Sequence, residues 1–218
     1  MGIPVLILGE SGTGKSASMR NFTPGSVFIV NVNRKPLPFR SKGHVLFPSD
    51  DYMSIEQKIT KAVEHGIRAV VIDDAQYLMA NEYMRTAKVQ GYQKFTDLAL
   101  NFWSLVQFCI GLPKDTVIYF LSHIERDAAG NEKCKTIGKL LDEKITVEGL
   151  FTIVLKTAVQ DGRYSFRTQN SGADTVKSPM GMFEAPDIDN DLAAVDNIVR
   201  EYYELPALEA PKQKEETQ

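Results

Sequence analysis

A glycine-rich segment directly after an apolar run constrains the fold of this chain more than any other feature. Residues 3–8 are apolar and predict a buried strand. The segment that follows fits the phosphate-loop pattern G-x-x-x-x-G-K-[ST], with the residues Gly9-Glu10-Ser11-Gly12-Thr13-Gly14-Lys15-Ser16. Glycines let the backbone wrap around a phosphate and aim its N–H groups at it, and a helix that opens near Lys15 adds its positive end. We therefore expect this whole segment to bind the phosphates of a nucleotide.

Two side chains of this loop, together with an acidic strand end, predict how the outer phosphates and Mg²⁺ are bound. Lys15 supplies a positive charge to the outer phosphates, and the hydroxyl of Ser16 is a ligand for Mg²⁺. Residues 69–72 form an apolar strand that ends in Asp73 and Asp74, which places a carboxylate beside the phosphate loop. We expect Asp73 to hold Mg²⁺ through water. Asp74 either polarises the attacking water or caps the helix that follows, and the sequence leaves both roles open.

A further polar strand end adds two candidates. The strand predicted over residues 116–121 is followed by Ser122 and His123, and ligands of open α/β sheets bind outside the carboxyl ends of the strands. Either residue is therefore a candidate sensor of the terminal phosphate, whereas the alternative for His123 is a structural role. The histidines at positions 44, 65 and 123 show no metal-ligand spacing.

Apolar runs alternate with helical stretches along the chain, which predicts an α/β fold with a mostly parallel sheet flanked by helices. Strands are expected at 26–33, 44–47, 68–72 and 116–121, and helices at 54–65, 95–110, 137–149 and 192–203. Residues 151–160 and 164–169 flank Asp161-Gly162, which predicts a C-terminal antiparallel hairpin. We expect a core over residues 1–185, followed by a C-terminal helix and an acidic tail over 186–218 whose last part, 205–218, is frayed.

The charge of the chain is distributed unevenly. Residues 1–183 carry 22 basic and 18 acidic side chains, whereas residues 184–218 carry 3 basic and 10 acidic ones, so the net charge of -3 combines a basic body with an acidic end. The basic body favours a polyanionic partner, and ordinary solvated surface explains it equally well. The apolar runs fall far short of the roughly 20 residues of a membrane span, and no signal-type segment opens the chain. We expect a cytosolic protein without a membrane partner.

Taken together, the motifs resemble those of phage-encoded RecA-like ATPases of the AAA type, which are related to single-strand annealing recombinases. Asp73 follows Lys15 by 58 residues, and Ser122 follows Asp73 by 49. Residues 138–140 and 176–183 also look like this group, and the resemblance covers residues 3–185. It implies a RecA-like P-loop NTPase fold, ATP as substrate and Mg²⁺ as cofactor. It also implies a homo-oligomeric ring or filament that binds single-stranded DNA and promotes annealing or strand exchange.

The resemblance further implies positions for DNA and for a shared active site. The segments 81–94 and 123–137 correspond to the two DNA loops of RecA-like cores, and their candidate DNA-binding cations are Arg85, Lys88, Arg126, Lys133 and Lys135. Lys177 is the candidate that completes the active site of a neighbouring subunit. A phage single-strand-binding or replication protein is a further candidate partner, and the cytoplasm of an infected bacterium is the expected compartment.

One departure from the RecA-like pattern keeps other functions open. The strand predicted over 26–33 ends without the acid that RecA-like enzymes usually carry there, so Asp74 or Glu10 must substitute or hydrolysis is weak. An AAA+-type motor or loader that acts on a replication protein fits the motif order as well, although a separate helical lid is missing. A third hypothesis is that the chain is a small-molecule kinase. The sequence shows no arginine-rich lid, which such enzymes normally carry, and this disfavours the hypothesis.

Overall fold

Buried apolar runs such as residues 69–72 are typical of strands that are covered on both faces, and such strands form the centre of this structure. The computed structural model describes residues 1–209, apart from the side chain of Glu143. Its strands are β1 (Ile3–Gly9), β2 (Val27–Asn31), β3 (Val45–Phe47), β4 (Ala69–Asp73), β5 (Val117–Arg126), β6 (Glu132–Cys134), β7 (Ile153–Gln160), β8 (Arg163–Arg167) and β9 (Asp187–Asp189).

The strand order of the sheet is β3-β2-β4-β5-β1-β7-β8-β9, and β6 pairs with β5 beside this path. The pairings from β3 to β7 are parallel, whereas β7, β8 and β9 pair antiparallel. The prediction of a mostly parallel sheet with a C-terminal antiparallel hairpin is therefore confirmed. Because β5 lies between β1 and β4, three strand ends meet at the same edge of the sheet.

The described residues contain four α-helices, three of which lie between strands and the last of which follows β9. They are α1 (Tyr52–Glu64), α2 (Gln76–Arg85), α3 (Gln93–Gly111) and α4 (Leu192–Tyr202). Local capping sets the start of two of them, because the carboxylates of Asp51 and Asp191 accept hydrogen bonds from the first free backbone N–H groups of α1 and α4. None of the helices within residues 1–209 has the length and apolar character that crossing a membrane requires.

The two faces of the sheet bury separate apolar clusters, because successive side chains of a strand point to opposite faces. In β1, Leu6 and Leu8 join the cluster that packs against α1, α2 and α3. Val5 and Ile7 join the cluster on the other face, which α4 covers. Because apolar side chains pack on both faces of the sheet, the central strands and the residues at their carboxyl ends are held in fixed positions.

Three local predictions are wrong. Half of the segment 81–94 is helical, since α2 continues to Arg85 and α3 begins at Gln93, and the connection between them covers only 86–92. Residues 123–137 form a hairpin of β5 and β6 rather than a loop, because backbone pairing continues from Ile124↔Cys134 to Arg126↔Glu132. The helix expected at 137–149 is replaced by a π-helical turn, Leu140–Ile145, and a 3₁₀ turn, Val147–Leu150. Between them Thr146 has a φ of 57°, which no continuous α-helix accommodates.

The C-terminal region is more ordered than its composition suggests. Residues 170–190 contain β9, in which Asp187 and Asp189 form ion pairs with the β8 residues Arg167 and Arg163. The side chains of Leu205 and Leu208 pack against the core, so the start of the segment expected to be frayed is attached to the body. Residues 210–218 of that segment lie outside the described residues.

Candidate active site

A polar cleft lies where the carboxyl ends of β1, β4 and β5 meet. The backbone register places Gly9 of β1 opposite His123 of β5, and Asp73 of β4 opposite Asn31 of β2. The cleft has a volume of about 430 Å³. It is lined by Asp73, Asp74 and His123 and by five residues of the phosphate-loop segment, namely Ser11, Gly12, Gly14, Lys15 and Ser16. The three sequence motifs therefore form one site.

The loop after β1 is closed around its own lysine. Lys15 Nζ donates hydrogen bonds to the carbonyl oxygens of Gly9 and Glu10, both at 2.8 Å. The residue is only 6% exposed, and this burial lowers the pKa of the ammonium to about 8 against the opposing attraction of Asp74 and Asp73. Because two neutral carbonyls are weak partners for a buried cation, the ammonium is available to an anionic ligand.

The backbone of the loop depends on glycine at two positions and on a contact with β7. Gly12 and Gly14 have φ values of 79° and 94°, which side chains rarely tolerate. A Cβ on Gly9 would lie 1.9 Å from Thr157 Oγ1 of β7. The hydroxyls of Thr157 and Thr13 are 2.6 Å apart, so β7 holds the loop in position from behind.

A hydrogen bond connects the phosphate loop to the acidic strand. Ser16 Oγ donates to Asp73 Oδ1 at 2.7 Å, and Ser16 opens a short 3₁₀ helix, Ser16–Asn21, where the sequence predicts a helix. Burial raises the pKa of the Asp73 carboxyl to about 6, and the hydrogen bond from Ser16 opposes this increase. A carboxylate that is costly to ionise when buried is stabilised by a nearby cation.

Asp74, which directly follows β4, is held by three side chains at the edge of the cleft. Asp74 has a φ of 62°, and its carboxylate accepts hydrogen bonds from Asn33 at 2.7 Å and Lys35 at 3.2 Å. His123 Nε2 lies 3.6 Å from the other carboxylate oxygen. Burial alone would raise the pKa of Asp74, but the bonds from His123, Asn33 and Lys35 lower it well below its usual range. Asp74 is therefore ionised in the cleft.

The alternative role of Asp74 as a helix cap does not match this geometry. The residue at the N-cap of α2 is Ala75, and no side-chain cap bond is formed there. The carboxylate of Asp74 faces Asn33 and Lys35 instead. Of the two roles that the sequence left open, only the orientation of a water molecule in the cleft is compatible with this geometry.

Other candidates lie outside the cleft. Ser122 is completely buried beside the thiol of Cys134, because it faces the opposite side of β5 from His123. The side chain of Glu10 is 60% exposed and lies 3.6 Å from Arg126. Lys177 is exposed, and its backbone bridges to Val154 near the start of β7, away from the strand ends.

Most of the candidate DNA-binding cations are paired with carboxylates of the same chain. Arg85 binds Asp50 at 2.6 Å, Arg126 binds Glu132 at 2.9 Å, and Lys133 binds Asp142. Lys88 and Lys135 are exposed. The five cations are thus present at two surface elements, the α2–α3 connection and the β5–β6 hairpin, and three of them are partly neutralised.

Sequence reasoning missed three residues of the site. Lys35 and Tyr164 line the cleft, and Tyr164 approaches Gly14 so closely that a Cβ there would lie 3.0 Å from its ring. Asn33, two residues after the end of β2, donates a hydrogen bond to Asp74. Lys35 belongs to the basic loop after β2, residues 34–43, which carries four basic side chains, and Tyr164 belongs to the β7–β8 hairpin. Nothing in the sequence of either segment indicates that it bends towards the phosphate loop.

Within the described residues, no group of three or more His, Cys, Asp or Glu side chains could hold a metal ion. This fits Mg²⁺, which commonly takes one or two protein ligands and keeps phosphate oxygens and waters as the others. Ser16 and Asp73 supply oxygen ligands of that kind. The donor set is therefore compatible with Mg²⁺ bound together with a nucleotide.

The chain has no match among known protein-family models, and a search of the curated proteins found none with significant similarity. Its class is therefore defined by the fold and the cleft alone. It is an α/β protein whose mostly parallel sheet carries a polar, glycine-rich cleft at the carboxyl ends of β1, β4 and β5.

Proposed function

We propose that this protein binds ATP with Mg²⁺ in the cleft and hydrolyses the β–γ phosphoanhydride bond, as a P-loop ATPase of the RecA-like kind. The observation that carries the proposal is the hydrogen bond between Ser16 and Asp73 beside the buried ammonium of Lys15. The loop serine and the strand-end carboxylate are 57 positions apart in sequence. Their meeting at a glycine-rich turn is the arrangement that a magnesium–nucleotide site requires.

The residues of the loop bind and orient the triphosphate. Lys15 exchanges the carbonyls of Gly9 and Glu10 for phosphate oxygens, which are stronger partners for an ammonium. The backbone N–H groups around Gly12 and Gly14 surround the phosphates. Ser16 and Asp73 hold Mg²⁺, whose charge draws electron density from the phosphates when it is bound.

Asp74 and His123 act on the attacking water at the far end of the cleft. The ionised carboxylate of Asp74 accepts a hydrogen bond from the water and orients it towards the terminal phosphorus. In the nucleotide-free protein the pKa of Asp74 lies well below its usual range, so this carboxylate is suited to orienting the water rather than to removing its proton.

The test is nucleotide binding by a Lys15→Ala variant, measured with a fluorescent ATP analogue in the presence of Mg²⁺. We expect binding to be lost in Lys15→Ala and unchanged in Lys61→Ala, which removes an exposed lysine of α1. A wild-type protein that binds no nucleotide, or a Lys15→Ala variant that binds as tightly as the wild type, would contradict the proposal.

We further propose that the ATP-bound protein assembles on single-stranded DNA and promotes annealing or strand exchange, as the family resemblance implies. The α2–α3 connection supports this with exposed Lys88 and with Tyr92, which is 89% exposed. Cations bind phosphates, and exposed aromatic rings stack on bases of any sequence. Arg85 has to leave Asp50 for this role, which the small free energy of an exposed ion pair permits.

Fluorescence anisotropy of a labelled oligonucleotide, with and without ATP, tests the DNA function. Tyr92→Ala together with Lys88→Ala is expected to weaken binding, whereas Lys61→Ala is not. If the protein has no affinity for single-stranded DNA in either nucleotide state, this function is rejected. Capture of a replication protein in that case supports the AAA+-type loader.

Lys177→Ala tests whether this residue completes the active site of a neighbouring subunit. If it does, the variant binds nucleotide normally and loses turnover or assembly.

A further inference from the structure

The loop that follows β2 carries a lysine into the nucleotide cleft. Arg34 has a φ of 57°, which turns the chain back over the strand ends. Asn31 Nδ2 donates to the carbonyl oxygen of Lys35 at 2.6 Å, and Pro36 restricts the backbone of the residue before it. The main chain of Lys35 is therefore held on both sides, while its side chain is 63% exposed.

The side chain of Lys35 ends beside the groups that would surround the outermost phosphate. Its Nζ lies 3.2 Å from Asp74 Oδ2 and 5.2 Å from the centre of the Tyr77 ring. Lys15 lines the same cleft, so the cleft holds two cations, Lys15 and Lys35, together with the carboxylates of Asp73 and Asp74.

The ion pair between Lys35 and Asp74 is weak enough to be exchanged. A pair with one partner this exposed contributes little to stability, because solvent screens it and ordering the long side chain costs entropy. A phosphate offers several anionic oxygens instead of the single carboxylate oxygen that Lys35 contacts now. Tyr77 keeps the ammonium near this position, since its ring attracts a cation.

We propose that Lys35 binds the terminal phosphate of a nucleoside triphosphate bound to the same chain. When this phosphate binds, it replaces Asp74 as the partner of Lys35, and the ion pair between the two side chains is broken. The inference rests on the proposed nucleotide site and adds a residue that distinguishes a triphosphate from a diphosphate. A diphosphate does not extend to the Asp74 end of the cleft, so it leaves the ion pair between Lys35 and Asp74 intact. The ion pair between Lys35 and Asp74 then reports which nucleotide is bound.

The experiment compares the dissociation constants of Mg²⁺–ATP and Mg²⁺–ADP for the wild type, Lys35→Ala, Lys35→Arg and Lys42→Ala. Lys42 is the matched control, because it is an exposed lysine of the same basic loop and lies outside the residues that line the cleft. We expect Lys35→Ala to lose ATP affinity by on the order of tenfold, the usual effect of one hydrogen bond to a charged group. ADP affinity should change by less than about twofold, because the ADP phosphates contact Lys15 rather than Lys35.

The outcomes separate this inference from the proposed function. Equal losses for both nucleotides, or no loss for either, would overturn the role of Lys35 while leaving the nucleotide site intact. A wild-type protein that binds neither nucleotide would reject the site itself. If Lys35→Arg prefers ATP over ADP as the wild type does, the positive charge at this position recognises the terminal phosphate. If Lys35→Ala melts at the same temperature as the wild type, its loss of ATP affinity is not caused by misfolding.

Discussion

Replacing the buried acid of β4 by its uncharged analogue should make the nucleotide-free protein more stable. Asp73 is 6% exposed, and burial raises its pKa from 3.8 to about 6. The folded protein therefore binds more protons than the unfolded chain between these two values, and stability falls as the pH rises through that range. Asp73→Asn removes the charge, keeps the size, and retains an oxygen that accepts the bond from Ser16.

The size of the pKa shift of Asp73 determines how much unfolding free energy the Asp73→Asn substitution should add. An increase of about two units corresponds to about 3 kcal/mol of destabilisation when the carboxyl is fully ionised, as it is at about pH 7.5. At about pH 4.5 the folded protein keeps the proton, and the penalty falls to about 1 kcal/mol. Asp73→Asn should therefore exceed the wild type in unfolding free energy by about 3 kcal/mol at the higher pH and about 1 kcal/mol at the lower one.

Urea denaturation in EDTA, followed by the fluorescence of Trp103, measures this difference at both pH values. The control is Asp127→Asn, because hydrogen bonds from Asn131 and Ala129 lower the pKa of Asp127, so its replacement should not gain stability as the pH rises. An equal gain for Asp73→Asn at both pH values, or no gain at all, would refute the reasoning. The same variant should lose Mg²⁺-dependent nucleotide binding, since the charge that destabilises the empty site is the one that holds the cation.

Three further variants test other parts of the structure. Arg200→Met leaves the buried carboxylate of Asp196 without its charged partner and with only the hydroxyl of Tyr119, and it should cost about 3–5 kcal/mol in urea unfolding. Gly9→Ala should cost about 1–3 kcal/mol, and most of that loss should disappear in a Thr157→Ala background if the clash with Thr157 causes it. Tyr164→Ala should lower nucleotide affinity in a fluorescence titration and leave the melting temperature unchanged, because the ring is 46% exposed beside the phosphate loop.

The fold could be predicted from the sequence where periodicity is local and strong. The apolar runs of β1, β4 and β5 identified the central strands, and the Asp161-Gly162 turn identified the β7–β8 hairpin. The prediction failed where tertiary pairing overrides composition. The charged residues around Glu125 resemble a loop, yet backbone pairing with β6 makes them a strand. The helix expected at 137–149 is interrupted at Thr146, whose unusual φ depends on its surroundings rather than on its residue type.

The sequence by itself determined the local parts of the candidate site, because a phosphate loop is a run of consecutive residues whose glycines set its backbone. It likewise determined that Asp73 and Asp74 end a strand. Only the tertiary structure decided which distant groups meet this loop: Thr157 behind it, and Asn33, Lys35 and His123 around Asp74. The physical reason is that these contacts depend on strand order and on the path of the connecting loops. Packing across the whole sheet decides both, and no short segment encodes either one.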